Sequence, residues 1–250
     1  MFFLVLGVLM VVLVGVVAVI TMAAGRLKRA KEGKFNGQVI TIAGGLINAL
    51  FMMSLVFLAA TAWQNSAQAR VRTFTEAGAM VEINSLSSPL PQEKRDRLHS
   101  LTRDYLTQVS TDEWRLMESG QRSQQAAGLL TSIRSEVLGI SVTGDTVKTV
   151  RDRMLDRVRD ASDARRMRIS DAATAPSRYL LLQLGLSGLL VVGFPLLVGF
   201  SPDPRHIALV CAITFGVVAC ILVAVDLSRP FAGVERITPD AYTLALEQIG

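Results

Sequence analysis

Two cysteines, Cys211 and Cys220, and two histidines, His99 and His206, are all that this chain holds of the commonest metal-binding side chains. Both cysteines fall inside one apolar run, which excludes a disulfide framework. The histidines lie far apart, so no metal cluster of the usual His/Cys spacing is present. The sequence also lacks Gly-x-Ser-x-Gly, His-Glu-x-x-His, a phosphate loop and Gly-x-Gly-x-x-Gly. Carboxylates are numerous, but nothing singles out a catalytic pair, and His99 has no nucleophile to serve. These absences leave no expectation of catalysis, of a metal or of a cofactor. The charged stretch from Arg151 to Arg168 interleaves acids with bases and has no aromatic residue, which argues against nucleic-acid binding and for a solvated helix face.

Long apolar runs, by contrast, are abundant: half of the 250 residues are hydrophobic. A membrane helix needs roughly 20 mostly apolar residues. Four runs qualify: Phe2 to Ala24, Gln38 to Trp63, Tyr179 to Phe200 and Ile207 to Val225. The first is expected to be a retained anchor, because its basic cluster, "RLKRAKEGK", follows the apolar residues, whereas a signal peptide carries its charge before them. The expected architecture is an all-α, four-span transmembrane bundle with a helical insert between spans two and three. It divides into residues 1–63 (spans one and two), 64–178 (insert), 179–227 (spans three and four) and 228–250 (tail).

Within the insert, Leu98, Leu101, Tyr105 and Val109 recur at helical spacing. "STDE" at Ser110 to Glu113 has the form of a capping box, so a new helix is expected near Thr111, ended by Gly120. Further helices are expected over Gln124 to Leu138 and Thr146 to Ala173, the latter with Val147, Val150, Met154 and Val158 on one face. Pro176 is expected to break it before span three. No Pro or Gly separates span two from the residues after Trp63 until Gly78, so one helix can run from the membrane into the insert.

Short loops rich in Lys and Arg stay in the cytoplasm. The loop after span one has Arg26, Lys28, Arg29, Lys31 and Lys34 against Glu32, and "SPDPRH" adds Arg205 on the same side. The insert and both termini are therefore expected outside the cytoplasm. Arg70, Arg72, Arg165, Arg166, Arg168, Arg178, Arg229 and Arg236 flank the spans on the other side, in segments whose length reduces their weight.

Polar groups inside spans mark candidate sites. Thr41 and Asn48 are one heptad apart on span two, and Gln183 and Ser187 stand at i and i+4 on span three; these four are the candidate pore-lining residues. Gly44, Gly45, Gly185, Gly188 and Gly216 would admit close helix packing, for which the same polar groups could instead serve as interhelical hydrogen-bonding partners. No span carries a buried Lys, Arg or Glu, which argues against a proton-driven pump and leaves passive permeation or no transport.

Several segments together resemble the bacterial bestrophin-like family: "FNGQVITIAGGLINALFMMSLVFLAATAWQNSAQAR", "LHSLTRDYLTQVSTDEW", "RRMRISDA" and "DLSRPFAGVERITPDAY". The matching positions are Asn36, Trp63, Ala69, Asp112, Glu113, Trp114, Asp226, Arg229, Pro230, Phe231 and Gly233. The resemblance implies a relation to bestrophins, which are oligomeric anion channels, and hence a bestrophin-like fold, a homo-oligomer such as a pentamer in a bacterial cell membrane, and inorganic anions as partners. The acidic calcium-binding cluster of animal bestrophins is missing, as is an evident ring of pore phenylalanines, though Phe51 and Phe57 lie in span two. Bestrophins keep their large soluble part in the cytosol, opposite to the side expected from charge. Arg70 and Arg72, just beyond span two, would concentrate anions at one mouth. After span four, Asp226 and Arg229 are one turn apart, Pro230 stops the helix, Phe231 is expected at the membrane interface, and Thr238 is expected to cap a short final helix. The rival expectation is a non-conducting scaffold or sensor whose insert binds a protein partner.

Overall fold

The computed structural model describes residues 37–142, 144–173, 177–198, 204–234 and 236–250. Span one and the basic loop after it lie outside the described residues, as does Pro176. Among the described residues every regular element is helical: α1 (Gly37–Leu86), α2 (Gln92–Gln108), a π-helical segment (Val109–Glu113), α3 (Trp114–Glu118), α4 (Gln124–Leu138), α5 (Asp145–Ala173), α6 (Arg178–Val198), α7 (Pro204–Leu227) and α8 (Asp240–Ile249). The chain divides into two compact units, residues 1–62 with 176–228, and residues 63–175 with 229–250.

The first unit is the membrane part. Among the described residues three helices are long and apolar enough to cross a bilayer: one within α1, one ending at Pro195 in α6, and α7. Such runs form helices because a backbone in hydrocarbon must satisfy every N–H and C=O internally. Phe51, Ser54, Leu58 and Ala62 recur three and four apart and form the buried face of α1. Phe51 and Leu58 pack with Leu184 and Val192 of α6 and with Val217 and Ala224 of α7. Glycine is needed where backbones approach: a Cβ on Gly188 would lie 3.0 Å from Val217 Cγ1, 3.3 Å from Ile221 Cδ1 and 3.5 Å from Phe51 Cε2. A Cβ on Gly44 would meet the Phe194 ring at 2.9 Å.

The second unit holds the rest of α1, the insert helices and the tail. Met80, Ile83, Leu98, Leu101, Tyr105, Ile133, Val137, Met154 and Val158 form its core, and Phe231, Tyr242 and Ile249 of the tail join the same cluster. The expected helix start at Thr111 does not occur. The chain passes from α2 through the π-helical segment into α3, and the Ser110 hydroxyl donates to the Thr107 carbonyl (3.0 Å) instead of capping. One extra residue in a turn shifts the helical phase, and both Val109 and Glu113 become buried. Gly120, at φ +71°, supplies the left-handed residue that follows α3. Ser123 caps α4, its hydroxyl accepting from the Ala126 N–H at 3.2 Å. In the tail, Pro239 precedes the first turn, its carbonyl accepting from Tyr242 and Thr243, while Thr238 donates to the Asp240 carboxylate (3.3 Å) and caps nothing.

Candidate functional site

Two groups of residues stand out, one in each unit. In the membrane unit the four polar residues singled out by spacing do not share a surface. Thr41 and Asn48 are exposed on α1, and the Thr41 hydroxyl donates to the Gly37 carbonyl at 3.0 Å. Gln183 donates to the Ser54 hydroxyl (3.1 Å), which itself donates to the Leu50 carbonyl (2.8 Å). Ser187 is buried and donates to the Leu184 carbonyl. Gln183 and Ser187 therefore belong to the packing of α6, and Gln183 ties it to α1. Thr41 and Asn48 are left on an exposed arc of α1.

A second exposed strip of α1, which begins at Met53 about 140° round the helix from Asn48, has a regular pattern. Met53, Phe57, Ala60, Gln64, Ala67, Val71, Phe74 and Gly78 are spaced alternately four and three apart and are all exposed. This is the spacing of the a/d positions of a helix that can pack on another helix. Val71 and Phe74 continue the seam beyond the apolar run, where exposed large side chains are otherwise unfavourable. Trp63 and Tyr179, 75% and 84% exposed, stand at the ends of their apolar runs, the places aromatic rings take in a bilayer.

In the second unit lies a network that sequence reasoning missed. Arg168 is fully buried and donates from Nε to Glu76 Oε2 (2.8 Å), and from Nη2 to Glu76 Oε1 (2.8 Å) and Glu113 Oε1 (2.7 Å). Arg165 donates to both Glu113 oxygens (3.2 and 2.6 Å) and to the Ser123 carbonyl (2.9 Å). Tyr105 donates to Glu76 (2.7 Å). Trp114 and Tyr242 cover the Arg168 guanidinium at 5.9 and 5.5 Å. The Tyr242 hydroxyl is buried near Glu76 without a hydrogen bond of normal length. Two carboxylates and two guanidiniums leave no net charge. The expected solvated face of Arg151 to Arg168 thus fails at Arg165 and Arg168, which continue the inward stripe of Met154, Val158 and Ala161.

These surroundings fix the protonation states. Burial alone would raise the Glu113 pKa, but the Arg165 hydrogen bond and the Arg168 charge outweigh it and hold the carboxyl below its usual value. Burial, helped by the Glu76 charge, pushes Tyr105 well up; burial does the same to Tyr242, although Arg168 opposes it. A depressed carboxyl contributes stability that is present above its unfolded value, about 4.3, and lost as pH falls through the folded one. A raised phenol contributes stability present below about 10 and lost above it. The insert should hold a stability plateau between these limits, and Glu113→Gln should flatten the acid limb. Denaturant midpoints measured from pH 3 to 11 check both limbs.

At the end of the apolar run, Arg70 pairs with Asp240 at 3.1 Å and Arg72 with Asp171. Each base expected to attract anions therefore faces a carboxylate. Phe231, expected at the membrane interface, is instead 2% exposed, with its ring edge-on to Trp114 at 5.6 Å. Pro230 is buried, and its carbonyl accepts from Ile237 at 2.9 Å, closing the tail loop. Asp226 and Arg229 each have an interacting partner. His99 faces Asn84 Oδ1 at 3.1 Å. Among the described residues no three His, Cys, Asp or Glu side chains converge to hold a metal ion.

Among curated proteins, none matches this chain. Among solved structures, two single-residue variants of a bacterial bestrophin homologue from Klebsiella pneumoniae are similar in fold. One has a TM-score of 0.69 at 12% identity, covering 97% of both chains. The other has a TM-score of 0.69 at 13% identity, covering 96% of this chain and 97% of that one. A structure described as a membrane protein matches with a TM-score of 0.70 at 11% identity, covering 97% of both chains. The Bestrophin-like domain model matches residues 2–242. With its apolar helices and that match over nearly the whole chain, this membrane protein belongs to the bestrophin-like family.

Proposed function

We propose that copies of this chain assemble, as a pentamer by analogy with bestrophins, into a passive ion channel of a bacterial cell membrane, selective for inorganic anions, with α1 lining the path. The observation that carries this reading is the exposed strip of α1. A helix whose a/d-spaced strip from Met53 to Gly78 is exposed among the described residues has a surface suited to packing on neighbouring copies. Thr41 and Asn48 are exposed polar groups of the membrane part of α1 that lie off that strip, on a side left for a path. A side-chain amide facing hydrocarbon is costly, whereas facing a water-filled path it can replace part of an ion's hydration shell. Gln183 and Ser187 act in this reading as the bonds that hold the wall together. The five bases after span one favour an insert outside the cytoplasm. A scaffold that docks a protein partner on the insert is the rival.

The test uses purified protein. Its mass in nanodiscs should be that of an oligomer, and chloride-loaded liposomes should empty without added energy when it is present. Asn48→Leu should slow the efflux roughly tenfold while leaving the mass unchanged, as expected for losing one polar contact of about 1.4 kcal/mol at the barrier. A monomer at every concentration, or liposomes that hold their chloride, would reject the channel and favour the scaffold. Thiol labelling at residue 120 from one side of sealed vesicles reads the side of the insert.

A further inference from the structure

We infer that Asp240, the first residue of α8, tunes ion selectivity by cancelling the charge of Arg70 on α1. The inference rests on the reading of α1 as the wall of an ion path.

The charges along α1 are few, and each has a partner. Glu76 is buried under Arg168, Arg72 faces Asp171, and Glu82 faces Arg157. Arg70 is the most exposed of the four, with 61% of its side chain open, and it is the charged residue of α1 nearest the apolar run. It follows Asn48 by about six turns of helix and so falls close to the same side of α1. The Phe74 ring, 5.8 Å from the guanidinium, helps to hold it there. Nη2 of Arg70 reaches Asp240 Oδ2 at 3.1 Å, and the Thr238 hydroxyl donates to the other carboxylate oxygen.

This ion pair is not what docks the tail. Ala241, Tyr242, Ala245 and Ile249 are buried in the core of the insert, and Arg236 makes a separate exposed pair with Glu118 at 2.5 Å. Exposed pairs contribute little to stability. Removing the Asp240 charge should therefore leave α8 seated and Arg70 in place, but with its positive charge uncompensated. A wall that is neutral at this level becomes basic, and local anion concentration rises while cation concentration falls.

The charge can be read without any current. Ser66, half-buried, one turn before Arg70 and off the a/d strip, is changed to cysteine in a Cys211→Ser, Cys220→Ser background. Its rates of reaction with anionic sulfonatoethyl and cationic trimethylammonioethyl methanethiosulfonate are then compared. Asp240→Asn should raise the anionic-to-cationic rate ratio about five-fold at low salt, a unit charge acting through water at close to 8 Å. The rise should collapse at 1 M salt. It should be absent when Arg70→Gln is already present. Glu118→Gln, which weakens the other tail pair, should leave the ratio alone. An unchanged ratio in Asp240→Asn, or an equal change in Glu118→Gln, overturns the inference. In bilayers Asp240→Asn should raise chloride permeability relative to potassium. If the wild-type protein conducts and this variant shifts the thiol rates but not the permeability ratio, the selectivity role of Asp240 is overturned while the channel reading stands. If the wild-type protein carries no current at all, both fall together.

Discussion

Replacing Arg168 by methionine is expected to lower the stability of the insert by about 3–5 kcal/mol, the cost of leaving one member of a buried ion network unpaired. Arg168 has no exposed surface and makes three hydrogen bonds to Glu76 and Glu113. Methionine fills much of the same volume, so the loss would come from stranding Glu76, which is buried on α1 with only the Tyr105 donor remaining. The double variant Arg168→Met with Glu76→Gln should recover part of the loss, because the orphaned charge is gone. Arg70→Gln, which breaks an exposed pair, should cost less than about 1 kcal/mol. The chain has two tryptophans, Trp63 and Trp114. In a Trp63→Phe background the fluorescence of Trp114, which lies against Arg168, reports unfolding of this unit directly. An Arg168→Met protein as stable as the parent would mean that the network does not hold the insert together.

The second large effect lies in the membrane unit. Gly188→Leu should drive α6 away from α7 and from α1, because even a Cβ at that position lies 3.0 Å from Val217 and 3.3 Å from Ile221. Overpacking a tight contact costs about 1–3 kcal/mol for a few added methylenes. Three helices meet at Gly188, so the shift should also break the Gln183–Ser54 bond and disturb assembly. A Cβ on Gly185, three residues away, would meet no heavy atom within 4 Å, so leucine should be accepted there with little change. Melting of the two variants in the same detergent, with their mass in nanodiscs, separates these expectations. Equal tolerance at 185 and 188 would contradict the packing described for α6.

Spans two, three and four, which fall largely in described residues, are readable because their signal is a simple one: about 20 apolar residues without charge. The helices of the insert are readable where an apolar stripe repeats, as at Leu98, Leu101 and Tyr105, which are all buried. The charged network escapes for two physical reasons. Helix α5 mixes both charges along its length, which usually marks a solvated face, yet its apolar stripe from Met154 and Val158 projects forward onto Arg165 and Arg168. The phase of the stripe is the usable signal, and charge density masks it. The second reason is the π-helical segment. A pattern that matches a capping box assumes that Ser110 and Glu113 satisfy each other's backbone N–H, but Glu113 is engaged by two arginines from a helix about fifty residues on. Such a long-range claim on a side chain leaves no mark in local sequence. The same holds for Arg70 and Arg72, whose carboxylate partners lie far along the chain. Thr41 and Asn48 stand out because polar residues on one face of an apolar helix are conspicuous. Gln183 and Ser187 look alike to them in sequence, and the packing of α6 on α1 is what separates the two pairs.

The most direct measurement is the reversal potential of purified wild-type protein in a planar bilayer under a potassium chloride gradient. A macroscopic, passive current that reverses near the chloride equilibrium potential is the expected result. Reversal near the potassium potential would keep a channel and contradict its anion selectivity, and a membrane that stays silent across voltage, pH and calcium would contradict ion conduction by this protein altogether.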